Sequence, residues 1–165
     1  MKLKYKILAW TLPLIIVLDQ ITKMLIVDKF TLHEMLPVIN NYFDITRIHN
    51  TGAAFGMLAN ADPIIRIPFF IIIPIVALGM IFYFLKTLPD TSKWSALALA
   101  LILSGAIGNL IDRIVYGYVV DFLYFSWNHE YFFPAFNVAD SAISIGASML
   151  ALAMFENKKD ASTTL

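Results

Sequence analysis

Asp121, in Val119-Val120-Asp121-Phe122, and Asp140, in Phe136-Asn137-Val138-Ala139-Asp140-Ser141, are carboxylates set in apolar surroundings. An ionisable group near bilayer hydrocarbon is unfavourable and is by default a functional-site hypothesis. Eighteen residues separate the two, enough to turn the chain back and face both carboxyls into one pocket. Two carboxyls in contact cannot both ionise easily, so they share a proton and titrate as a pair. The ionised member can take a proton from water while the protonated one donates to a scissile carbonyl oxygen. That is aspartic-peptidase chemistry.

Other routes to peptide cleavage find less support. The chain has no cysteine, which removes thiol nucleophiles, Cys-ligated zinc and disulfides. His33, His49 and His129 are scattered, without HExxH or another metal spacing. No Gly-x-Ser-x-Gly elbow and no Gly-x-Gly-Asp signature occurs. Neither metal nor cofactor is expected.

The elements that must position the aspartates are membrane spans. Of 165 residues, 59% are hydrophobic and 15% charged, against about 25% charged in a soluble domain; mean hydropathy is +0.74. Four apolar runs, about 5–27, 64–85, 94–111 and 138–155, approach or exceed the ~20 residues that cross a bilayer. The fold class is therefore an α-helical polytopic membrane protein, one domain over 1–165 with four transmembrane helices. The stretch from Met1 to Leu18 has the charge pattern of a signal peptide, but its apolar run continues to Val27 with no small-x-small site. It reads as an uncleaved first span. Zero net charge gives no reason to expect a nucleic-acid partner.

Lys2, Lys4 and Lys6, then Lys86 and Lys93, then Lys158 and Lys159 alternate along the chain so as to share one side. By the positive-inside rule that side is the cytoplasm, with both termini in it. The loops 28–63 and 114–137 lie outside. In the first, Met35–Ile39 and Tyr42–Ile48 are β-branched and aromatic and predict short strands. Thr51-Gly52-Ala53-Ala54-Phe55-Gly56 predicts a tight turn or close backbone approach, Asp62-Pro63 caps the second span, and Pro74 should kink it. The second loop carries Tyr124, Phe125, Trp127, Tyr131, Phe132, Phe133 and Phe136, an interfacial belt, a substrate contact, or both.

This topology gathers the polar side chains at the outer leaflet. Asp19 and Lys23 are spaced i, i+4 on the first span. Asn109, Asp112 and Arg113 end the third. Asn137, Asp140, Ser141, Ser144 and Ser148 form one stripe on the fourth. Gly105, with Ser104-x-x-x-Gly108, lets another helix come close. Each has a plainer reading: Asp19–Lys23 as a buried structural ion pair, Asp112–Arg113 as the end of a helix before the Tyr116-Gly117 turn, Asn137 as an N-cap.

Five blocks in order, Asp19-Gln20-x-x-Lys23, Asn50-Thr51-Gly52-Ala53-Ala54-Phe55, Gly105-Ala106-x-Gly108-Asn109-x-x-Asp112-Arg113, Val119-Val120-Asp121-Phe122 and Phe136-Asn137-x-Ala139-Asp140-Ser141, resemble bacterial lipoprotein signal peptidase (signal peptidase II) along nearly the whole chain. The resemblance implies an inner-membrane aspartyl endopeptidase with an extracytoplasmic β-sheet cradle. Such enzymes cut prolipoproteins just before a diacylglyceryl-modified cysteine. By position, Asp121 and Asp140 would be the catalytic dyad. Asn50, Gly52, Asn109, Arg113, Asn137 and Ala139 would line the site or bind substrate, with Asp19, Lys23 and Asp112 supporting it. The lipid bilayer and the cyclic peptide globomycin are further implied partners. Two other classes compete: a proton-coupled transporter, which would spread carboxylates through the membrane depth, and a non-catalytic scaffold, which needs no reactive pair.

Overall fold

The computed structural model describes residues 2–52, 62–128 and 130–163. In chain order the elements are α1 (Leu3–Lys29), β1 (Met35–Ile39), β2 (Phe43–Asn50), α2 (Pro63–Thr87), α3 (Lys93–Tyr116), β3 (Val119–Trp127), β4 (Tyr131–Phe136) and α4 (Val138–Thr163). Among the described residues three helices, Leu3–Lys29, Pro68–Thr87 and Lys93–Tyr116, are long and apolar enough to cross a membrane; α4 carries a shorter apolar stretch, Val138–Ala153. Capping, not hydropathy, sets the start of α2 and the end of α3. The Asp62 side chain accepts from the Ile64 N–H at 2.9 Å, with Pro63 in the first turn of α2. Gly117, at φ 77°, closes α3 through its N–H to the Arg113 carbonyl, a left-handed position that favours glycine.

The central helix is α3, which packs against α1, α2 and α4. Its inward face is small, with Ala96, Ala98, Ala100, Ser104, Gly105 and Gly108 buried, and small faces let backbones approach where lipid gives no hydrophobic drive. A Cβ on Gly105 would strike the Ala139 carbonyl; one on Gly146 would lie 2.6 Å from the Ala98 carbonyl oxygen. The lipid-compatible faces of α1 and α2 stay open, with Trp10 80% and Ile64 82% exposed.

An antiparallel sheet in the order β1-β2-β3-β4 sits at one end of the helices. Ile26 of α1 packs with Val120 and Phe122 of β3 to fasten it there. The expected strands of the first loop form, with β2 shifted to Phe43–Asn50. Within residues 114–137, read only as an aromatic loop, β3 and β4 pair as antiparallel strands. Asp121 therefore belongs to an interior strand, not to a loop. Alternation is hidden there because both faces are apolar or aromatic: Phe43 stacks on Phe125 on one face, and Tyr124 on Phe132 on the other. The expected turn at 51–56 falls mostly on residues 53–61, outside the described residues.

At the other end of the helices, Lys4 is buried rather than a free charge. Its Nζ donates to the Lys86 and Leu88 carbonyls at 2.8 and 2.6 Å, satisfying orphan acceptors at the end of α2.

Candidate active site

A layer of buried charge underlies the site. Lys23 Nζ lies 2.9 Å from Asp19 Oδ2 and 3.0 Å from Asp112 Oδ2, and donates to Asn109 Oδ1 at 3.0 Å. Asp19 and Asp112 are fully buried. Burying a charge is tolerable only when it is paired and its remaining hydrogen-bonding capacity is used. Here the remaining oxygens hold the backbone. Asp112 Oδ2 accepts from the Val120 N–H at 3.1 Å, and Asp19 Oδ1 from the Ala139 N–H at 2.9 Å. Each bond grips the residue just before a member of the pair: Val120 before Asp121, Ala139 before Asp140.

Amides form the next layer. Asn137 caps α4: its Oδ1 accepts from the Asp140 N–H at 2.9 Å, and Asp140 Oδ2 accepts from the Asn137 N–H at 3.2 Å, a reciprocal capping box with aspartate in the third helical position. Its Nδ2 donates to Asp121 Oδ1 at 2.7 Å. The cap reading and the site reading of Asn137 are thus one geometry. Asn109 Nδ2 donates to Asp140 Oδ1 at 2.7 Å, and Asn50 Nδ2 to Asp121 Oδ2 at 3.0 Å. Every oxygen of the two carboxyls meets a neutral N–H donor. Among the described residues no cation pairs directly with either.

Both aspartates open on one cavity of about 820 Å³, lined also by Asn50, Asn109, Arg113, Phe133, Phe136, Ser141 and Ser144. Arg113 donates to the Gly52 carbonyl at 3.2 Å and stacks over Phe70 at 5.3 Å, while the Gly52 N–H returns to Asn50 Oδ1 at 3.0 Å. Asn137 and Ala139 are buried behind the cavity wall, and the Lys23 layer lies behind them. Burial, then the charge of neighbouring Asp140, raises the Asp121 carboxyl to about 7; the Asn50 and Asn137 amides and the Lys23 charge pull the other way. Among the described residues no cluster of three or more His, Cys, Asp or Glu is placed to hold a metal ion.

Two participants had no role assigned from the sequence. Gln20 Nε2 bridges Asp112 Oδ1 at 2.9 Å, Asp19 Oδ2 at 3.1 Å and the Gly108 carbonyl at 3.3 Å; its signal was a polar side chain inside an apolar helix. His49 lines the cavity and stacks on Tyr118 at 3.8 Å. Burial and the neighbouring Arg47 and His33 lower its pKa, favouring the neutral ring. Nothing local in the sequence marks it.

Residues 11–156 match the family model described as signal peptidase (SPase) II. A lipoprotein signal peptidase of Pseudomonas putida is 48% identical over 150 residues, covering 91% of this chain and 87% of the relative. One of Geobacter sulfurreducens is 47% identical over 159 residues, covering 96% and 98%. Among solved structures, a bacterial membrane enzyme determined by the in meso method superposes with a TM-score of 0.82 at 32% identity, covering 93% of this chain and 90% of that one. By the family match and by this likeness along its length, the chain belongs to the signal peptidase II family.

Proposed function

We propose that this protein removes signal peptides from prolipoproteins, cutting immediately before a diacylglyceryl-modified cysteine, with Asp121 and Asp140 as an aspartyl dyad. The observation that carries this reading is the pair of carboxyls opening on one cavity, each held by neutral amides. Burial and the nearby second carboxyl favour a shared proton over two fixed charges, while the amides orient the pair.

In the proposed reaction the ionised carboxyl takes a proton from water as its oxygen attacks the scissile carbonyl carbon. The protonated partner donates to the carbonyl oxygen. The tetrahedral intermediate collapses as a proton passes to the leaving nitrogen and the C–N bond breaks. No metal or cofactor enters. Asn50, Asn109 and Asn137 hold the carboxyls; Arg113 and Gly52 border the substrate space; Asp19, Lys23, Asp112 and the Ala139 amide fix the backbone on which the dyad stands.

We further propose that α4 serves as a fourth span, with both termini cytoplasmic and the sheet outside, in the inner membrane of a bacterium. The lysine distribution supports this orientation. A lipidated cysteine would then meet the dyad with its acyl chains in the outer leaflet, and globomycin should compete for the cavity. Among the described residues the buried carboxylates of α1, α3 and β3 gather near one end of the helices, with Lys4 alone buried at the other, which argues against an ion relay. The deciding experiment is cleavage of a diacylglyceryl-modified prolipoprotein by the purified protein. Full activity in either Asp121→Asn or Asp140→Asn would sink the dyad.

A further inference from the structure

The cavity takes its wall from β3 and β4 in different ways. From β3 it receives Val119 and Asp121, alternate residues on one face, as the pleat requires. From β4 it receives Phe133, Pro134, Ala135 and Phe136 in succession. Phe133 and Phe136 stand opposite Phe125 and Leu123, on the Asp121 face. The register irregularity between those pairs leaves Pro134 and Ala135 across from Tyr124, which stacks with Phe132 on the other face. Face contact accounts for Phe133 and Phe136 only. The presence of Pro134 and Ala135 in the lining is what contact along the outer edge of the strand would give, and β4 is the last strand of the sheet among the described residues.

Past Asp140 the same cavity continues along Ser141, Ser144 and Ile145 of α4. A chain lying in it has a strand edge on one side of the dyad and a helix on the other. The apolar signal segment suits the helix side, which runs into the membrane. The segment after the cut suits the edge side, which leads to the exposed tip of the hairpin, where Tyr131 is 74% exposed. An extended peptide binds an open sheet edge through main-chain hydrogen bonds, without reading side chains. Pro134 has no N–H to offer, which blunts the edge against pairing with another sheet.

Resting on the peptidase reading above, we propose that the precursor segment just after the cleaved bond pairs with the outer edge of β4 as an added strand. The test places the change in the substrate, so folding of the enzyme is not at issue. Synthetic precursors carrying a diacylglyceryl cysteine receive one backbone N-methyl group at each of the first five residues after that cysteine in turn. The wild-type full-length protein then cleaves each under steady-state conditions. Strand pairing predicts an alternating profile. Methylation at every second residue raises KM about five- to tenfold with kcat nearly unchanged, the signature of a lost main-chain bond in ground and transition states alike; the residues between are tolerated. A flat or monotonic profile on a cleaved parent peptide overturns the pairing alone. A parent peptide that is not cut at all overturns the peptidase reading, and the pairing with it.

Discussion

Four aspartates, three of them buried and Asp140 half-buried, lie within two layers of this protein, and they are held in opposite ways. Asp19 and Asp112 share one lysine at 2.9 and 3.0 Å; Asp121 and Asp140 have amide donors and no direct ion pair among the described residues. In the first layer a fixed charge is fully used: the cation offsets desolvation and the spare oxygens hold backbone N–H groups. In the second, nothing fixes the charge. On the proposed reading the difference separates a residue that positions from one that exchanges protons, though the residue type is the same and the layers touch through Asn109 and Asn137.

The largest effect expected from breaking this contrast is on catalysis. Asp121→Asn or Asp140→Asn should lower cleavage at least about 10³-fold, the scale of a lost general acid or base, while thermal unfolding in detergent moves little, because a buried amide is easier to accommodate than a carboxylate. Lys23→Met should do the reverse in kind. It leaves Asp19 and Asp112 buried and uncompensated, at a cost of about 3–5 kcal/mol read as a drop in Tm. Adding Asp19→Asn to Lys23→Met should recover part of that loss. If Lys23→Met keeps its Tm and loses only activity, the two layers do not divide as argued.

A smaller effect tests how closely the layers must pack. Gly105→Ala sets a methyl against the Ala139 carbonyl and 2.7 Å from Ile143 Cγ1, next to Asp140, and should cost about 1–3 kcal/mol with a fall in activity at permissive temperature. Gly79→Ala, in open space on α2, should leave both unchanged or gain slightly from helix propensity. Equal behaviour of the two variants would mean that α3 and α4 have room to spare.

The polar residues of the site were legible because charged and amide side chains stand out in apolar helices, and their helical spacing put them at one depth. Their partners were not. The reach of Lys23 to Asp112 depends on how close α1 comes to α3, and Gly108 permits it: a Cβ there would lie 2.7 Å from Asp19 Oδ2. A glycine spacing shows that some helix approaches, not which one. The β3–β4 hairpin escaped notice for a different reason. Its residues are aromatic on both faces, so the period-2 signal that reveals a half-buried strand is absent. Lys4 shows the same limit at the opposite end, where a lysine read for its charge serves chiefly to cap α2.

The finest expected effect concerns the proton itself. With the Asp121 carboxyl raised to about 7, above its ordinary value, the folded protein holds a proton across a window where the unfolded chain has released it. Stability from this group is full below about pH 4 and is lost as pH rises through about 7. Tm should therefore decline across that window, and Asp121→Asn should flatten the decline. In the proposed reaction the same proton is used, so kcat/KM should show a descending limb near pH 7 that belongs to the coupled pair. Asn50 donates to Asp121 Oδ2 at 3.0 Å and so favours the ionised form; Asn50→Ala removes that preference. The limb should then move to higher pH by a few tenths of a unit or more, roughly what a neutral hydrogen bond of about 1 kcal/mol can shift. A limb that stays in place, or moves down, would mean that the Asn50 amide does not set the proton affinity of the pair, and that the neutral layer positions its aspartates as passively as the charged one.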